Sequence, residues 1–202
     1  ALFIVGSISS VLFIMKHFYQ NISGMFRPEQ KLCYKNQITQ AKENSHFVEL
    51  GIWKGRSASF MAVEIINSGK KIKYDVVDTW LGTPSLGTKE YSRSPFVKNG
   101  TLYEHFLDNV KSVRHIINPI RMTTVEASKL YDNNSLDFVF IDASHDYDSV
   151  KEDIKHWLPK IRENGILAGD DMEWHLGDGV KRAVNELLPK HIQDRNTWLY
   201  RK

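Results

Sequence analysis

"HFVELGIWKGRSASFMAVEII", residues 46–66, joins five residues of strand character to a helix through a turn that holds Gly51 and Gly55. Ala58, Met61, Ala62, Ile65 and Ile66 fall at i, i+3, i+4, i+7 and i+8, so the helix has one apolar face that must be covered. The unit then recurs along the chain. "IKYDVVD" (72–78) reads as a second strand and "LYEHFLDNV" (102–110) as a second helix. "HIINPI" (115–120) reads as a third strand and "TVEASKLY" (124–131) as a short helix. "LDFVFID" (136–142) is the next strand, and Val150, Ile154, Trp157, Leu158 and Ile161 mark a helix at 3.6 spacing. "GILAGD" (165–170) is a strand, Val180 to Leu188 a last helix, and "TWLYRK" (197–202) a closing strand. Alternation of this kind predicts an α/β fold: a doubly wound, mainly parallel sheet with helices on both faces, three layers in all.

Upstream, Pro28 suits a first helical turn, and "PEQKLCYKNQITQAKEN" (28–44) reads as a polar helix. The chain therefore divides into an N-terminal helical extension, 1–44, and one cored domain, 45–202. Its 202 residues and 42% hydrophobic content suit a single such domain. The net charge of +3 is mild and the basic residues are scattered, so no nucleic-acid partner is expected. The single cysteine, Cys33, excludes an intrachain disulfide and points to a reducing, cytoplasmic setting. "ALFIVGSISSVLFIM" (1–15) is apolar but short of the ~18 residues needed to span a bilayer. A buried or homo-oligomer-packing segment is the plain reading of it, and a membrane role stays open.

In a parallel sheet, ligands bind outside the carboxyl ends of the strands. Glu49, Asp78, Asp142 and the pair Asp170 and Asp171 stand at or near four such ends, more acid than turn chemistry alone accounts for. Gly51 and Gly55 allow tight turning, and the helix that follows offers free N–H groups. Asp78, at the end of the second strand, is where a ribose-binding acid belongs. A nucleoside-containing cofactor follows.

"VELGIWKGRSASFMA", "VVDTWLG", "TTVEASKL", "LDFVFIDASHDYDSVKEDIKHWLPKIRENGILAGDD" and "GVKRAVNELL" occur in that order over roughly residues 45–202. Together they resemble class I S-adenosylmethionine-dependent methyltransferases with a Rossmann-like fold. The subset they are most similar to is the small sugar- and antibiotic-modifying O-methyltransferases, with metal-dependent catechol-type enzymes as more distant relatives. The resemblance implies that Glu49, Gly51 and Gly55 shape the S-adenosylmethionine pocket, that Ser57 binds the methionine carboxylate, that Asp78 holds the ribose hydroxyls, and that Thr124 lies near the adenine. Asp142 would border the cofactor as well. Where many members of the subset have Gly-His-Asp, this chain has Gly169-Asp170-Asp171. The stretch after Pro189 is short for the antiparallel hairpin that completes a seven-stranded sheet, so an abbreviated or missing edge strand is expected.

Asp142, Asp170 and Asp171 supply hard oxygen ligands, and three carboxylates packed together repel unless a cation or a proton neutralises them. Mg²⁺ or another divalent cation is the expected occupant. His145, three residues after Asp142, is expected to take the acceptor's proton with Asp142 beside it, at a pKa near its ordinary value. The resemblance places a lysine at this spacing in the catechol-type enzymes. The long loop 81–100, with Tyr91, Arg93 and Lys98, is expected to face a small-molecule or glycan acceptor. The reading is therefore a metal-assisted O-methyltransferase. An NAD-dependent oxidoreductase and a catalytically silent nucleoside-cofactor-binding module are the alternatives.

Overall fold

The computed structural model describes residues 14–82 and 94–202. The stretch 1–13, and Tyr91 and Arg93 of the long loop, lie outside the described residues. Strands β1 (His46–Leu50), β2 (Lys73–Asp78), β3 (Ile117–Arg121), β4 (Leu136–Ile141), β5 (Ile161–Gly169), β6 (Ile192–Asp194) and β7 (Thr197–Arg201) form one sheet of order β3-β2-β1-β4-β5-β7-β6. The first five are parallel; β7 runs antiparallel to β5, and β6 to β7. The strand order reverses between β1 and β4, so the chain leaving each of them opens a crevice at the carboxyl edge.

Successive side chains of β4 explain its unbroken apolar run. Phe138 and Phe140 enter one core and Val139 and Ile141 the other, because side chains alternate across a strand and both faces are covered. Helices α1 (Pro28–Gln40), α2 (Arg56–Ser68) and α4 (Leu102–Asn109) close the first core with Tyr34, Met61 and Phe106. Helices α5 (Thr124–Ser128), α6 (Tyr147–Trp157) and α7 (Gly179–Leu187) close the second with Ala127, Trp157 and Val184. The short α3 (Pro95–Lys98) carries Lys98. Tyr34 and Ile38 of α1 lie in the same core as β1 and β4, so the extension packs as part of the sheet's cover.

Two expectations shift and two hold. The helix expected to reach Ile161 ends at Trp157; a single 3₁₀ turn follows, because Pro159 has no N–H to continue the ladder. Ile161 instead opens β5, which starts before Gly165 and slips in register against β4. β3 keeps Pro119 because it is the sheet's edge, where a missing donor costs little. The edge strand is present and abbreviated, as one of the two expected outcomes: β6 is only three residues long, and Arg195, at φ 53°, lies in the two-residue turn into β7, where glycine is the usual residue. No helix among the described residues is long and apolar enough to cross a membrane.

Candidate active site

A cavity of about 320 Å³ opens at the carboxyl edge of the sheet. One end is walled by Gly51, Ile52, Ser57, Asp78 and Thr124, the other by Asp142, His145, Asp170 and Asp171. Ser23, Gly24, Met25, Arg27 and Gln30 form a further wall, which the reading of the sequence did not anticipate.

At the first end the turn after β1 is shaped by close backbone approach. Gly51 has φ 84°, and a Cβ there would stand 2.0 Å from the Asp142 carbonyl oxygen. Gly55 serves packing: at φ 87°, its missing Cβ makes room for Val110 and Phe106. Asp78 reaches the cavity, but its carboxylate already accepts N–H bonds from Ile52 (2.8 Å), Trp53 (2.9 Å) and Trp80 (2.7 Å). It fastens the glycine turn to β2, and burial raises its pKa despite those donors. Glu49 stands behind the cavity wall, buried, where Ser57 and Tyr74 both donate hydroxyl hydrogen bonds to it. Burial lifts its carboxyl to about 7. With its hydroxyl proton turned to Glu49, Ser57 offers the cavity a lone pair and a first-turn backbone N–H. Thr124 opens α5 and donates to Asp153, 2.5 Å away.

At the second end the structure brings Asp142, Asp170 and Asp171 together, and supplies two cations of its own. The Arg27 Nη1 lies 2.5 Å from Asp170 and 3.1 Å from Asp171. His145 Nε2 is 2.7 Å from Asp171 and 3.8 Å from Asp142, at ion-pair distance but without the alignment of a hydrogen bond. Thr197 donates to Asp170 (3.1 Å), and Gln30 to Asp142 (3.3 Å). Burial, then Asp142 and Asp171, raise Asp170. Burial raises Asp142 as well. Asp171 is lowered, since His145 and Arg27 together outweigh its burial.

His145 is not the unshifted imidazole the sequence leads one to expect. Burial opposes its charge, but Asp142 and Asp171 overcome burial and raise it to about 9. Its ring stacks on Trp174 at 4.6 Å, and Gly179 lets α7 press against its backbone: a Cβ there would meet the His145 carbonyl oxygen at 2.4 Å.

A parallel sheet of this order, closed by an antiparallel hairpin and opening on a cavity between β1 and β4, defines a class I methyltransferase fold. The chain belongs to the methyltransferase-domain family, whose model matches residues 48–172. Among solved structures, the O-methyltransferase NovP is similar with a TM-score of 0.61 at 16% identity, over 86% of this chain and 79% of that one. CalS11, a calicheamicin methyltransferase, gives 0.60 at 14%, over 87% and 80%. An O-methyltransferase from Bacillus cereus, solved with S-adenosylhomocysteine (SAH), gives 0.58 at 14%, over 91% and 86%. At these identities the likeness is one of fold. No curated protein matches the chain.

Proposed function

We propose that the chain transfers the methyl group of S-adenosylmethionine to a hydroxyl oxygen of a small molecule or glycan, assisted by a divalent cation. The observation that carries this reading is the continuity of the cavity: the Gly51–Asp78–Thr124 end and the acid–imidazole end share one space. A donor whose nucleoside lies at the first end would present its sulfonium methyl toward the second. The S–CH₃ bond breaks as the O–CH₃ bond forms, the hydroxyl proton leaves to the His145–Asp142 pair, and neutral SAH remains. Most of the rate then comes from holding donor and acceptor in line, which is worth up to about 7–11 kcal/mol when the geometry is near attack.

The residues fit a divalent cation. Asp142, His145 and Asp171 each offer a ligand atom, all within 4.8 Å of one another, and hard oxygens suit Mg²⁺ or Mn²⁺. Asp142 and Asp171 would hold the ion, and Asp170 would join them if Arg27 gave way. A cation so bound lowers the pKa of an acceptor hydroxyl.

Calorimetry with SAH and with NAD, each with and without Mg²⁺ and a chelator, tests the reading. SAH is expected to bind and NAD not to. Chelation should leave SAH affinity within about twofold while turnover on a panel of hydroxylated acceptors falls, because the ion serves the acceptor. Binding of NAD alone would support the oxidoreductase, and turnover indifferent to exhaustive chelation would remove the metal.

Asp78→Ala is expected to act twice. It deprives a bound ribose of a charged partner and leaves the Ile52, Trp53 and Trp80 N–H groups without their acceptor. A loss of about 1.5–3 kcal/mol in SAH affinity should therefore come with a measurable fall in the urea midpoint. Unchanged affinity would remove Asp78 from the pocket.

A further inference from the structure

Asp153 has no part in the transfer described above, yet it is a carboxylate buried to 2% exposure inside α6. Its hydrogen-bond partner among the described residues is the hydroxyl of Thr124, at 2.5 Å. One turn further along α6, Trp157 Nε1 donates to the Thr124 carbonyl at 3.1 Å. Two side chains of one helix thus grip a single residue of the cavity wall. Burying an acid against one neutral hydroxyl is expensive, and burial drives its pKa to about 7. A neutral side chain would hold the wall at less cost, so an acid in this place calls for a reason.

The reason lies in what a carboxylate does to a hydroxyl. An ionised carboxylate only accepts, so Thr124 must donate to it, and Thr124 Oγ is left with lone pairs alone for its other neighbours. Thr124 follows β3, the edge strand beside β2, and lines the same cavity as Asp78. With the ribose at the end of β2 and the sulfonium directed toward β4 and β5, the base of the donor is left with the β3 side. We propose that Asp153 is a positioning residue: it holds the Thr124 hydroxyl as a pure acceptor for the exocyclic amine of the cofactor's base, so that the cavity selects a 6-amino purine over a 6-oxo purine. This rests on the reading of the cofactor as S-adenosylmethionine.

Competition calorimetry at pH 8 with SAH and its deaminated analogue, S-inosylhomocysteine, tests it. The wild-type protein is expected to prefer the adenosyl compound by about 30-fold or more, the size of one well-made hydrogen bond against a mismatched pair. Asp153→Asn can donate to Thr124 Oγ and free the hydroxyl proton to face the cavity. The preference should then shrink about tenfold, chiefly by tighter binding of the inosyl compound. A merely structural role would weaken both ligands alike and leave the ratio in place, and an unchanged ratio overturns the proposal. If Asp153→Asn does not fold, Thr124→Val and Thr124→Ser decide: Val should lose the preference and Ser should keep it, and any other pattern overturns it. A wild-type protein that binds no SAH at all removes the cofactor reading and this inference together, a result distinct from SAH binding with an unaltered ratio.

Discussion

Gly51→Ala is expected to destabilise the protein by more than about 3 kcal/mol and to abolish SAH binding, whereas Gly69→Ala should cost only about 1 kcal/mol. Both glycines have positive φ, 84° and 67°, so the conformational penalty for a side chain is shared. They differ in what a Cβ would meet. At Gly69 nothing lies within 4 Å; at Gly51 the Cβ would stand 2.0 Å from the Asp142 oxygen, 2.5 Å from its carbonyl carbon and 2.7 Å from Ala143 Cα. Those are backbone atoms, and no rotamer change relieves them. The Asp142 N–H also bonds the Leu50 oxygen at 2.8 Å, so relief means parting β1 from β4 at the switch point. That displaces the turn bordering the nucleoside end and Asp142 at the other end. Urea unfolding and SAH calorimetry on the two variants check this; equal stability losses would show that Gly51 matters only for its dihedral angles.

The same contact shows what could be read along the chain and what could not. Strand-end acids are local signals, because a short unbroken apolar run followed by Asp places that Asp at a known edge, and Asp78, Asp142, Asp170 and Asp171 all border the cavity. Glu49 and Gly55 were legible as to position but not as to neighbours: one fixes Ser57 and Tyr74, the other makes room for α4. Arg27 was out of reach. It lies 143 residues before Asp170, and an arginine ahead of Pro28 reads only as a helix N-terminus. Three carboxylates packed together call for a cation, and the fold itself supplies Arg27 and His145. Only the tertiary packing of α1 against the sheet, which no periodicity encodes, reveals that. The early start of β5 and the turn at Arg195 escaped for a related reason: partner strands overrode weak local preference.

His145→Ala is expected to lower turnover by about 10²–10⁴-fold with SAH affinity nearly unchanged, the usual weight of a positioned proton acceptor. The placement favours this role. The imidazole is 9% exposed, stacked on Trp174, and borders the cavity where an acceptor hydroxyl would meet the sulfonium. As it stands, Asp142 and Asp171 hold it protonated at neutral pH. An imidazole must be neutral to accept a proton, and a cation held by those two carboxylates would remove the electrostatic reason for its charge. The competing role is that of a fixed counter-ion to Asp171, which needs no proton transfer. The two part company in measurement. If His145 takes the proton, the acidic limb of the wild-type kcat/KM profile should be absent from His145→Ala, and added imidazole should restore part of the lost turnover. If it is only a counter-ion, the acidic limb should persist in His145→Ala, and imidazole should do nothing. Retention of the limb would therefore show that the proton leaves by a route other than His145.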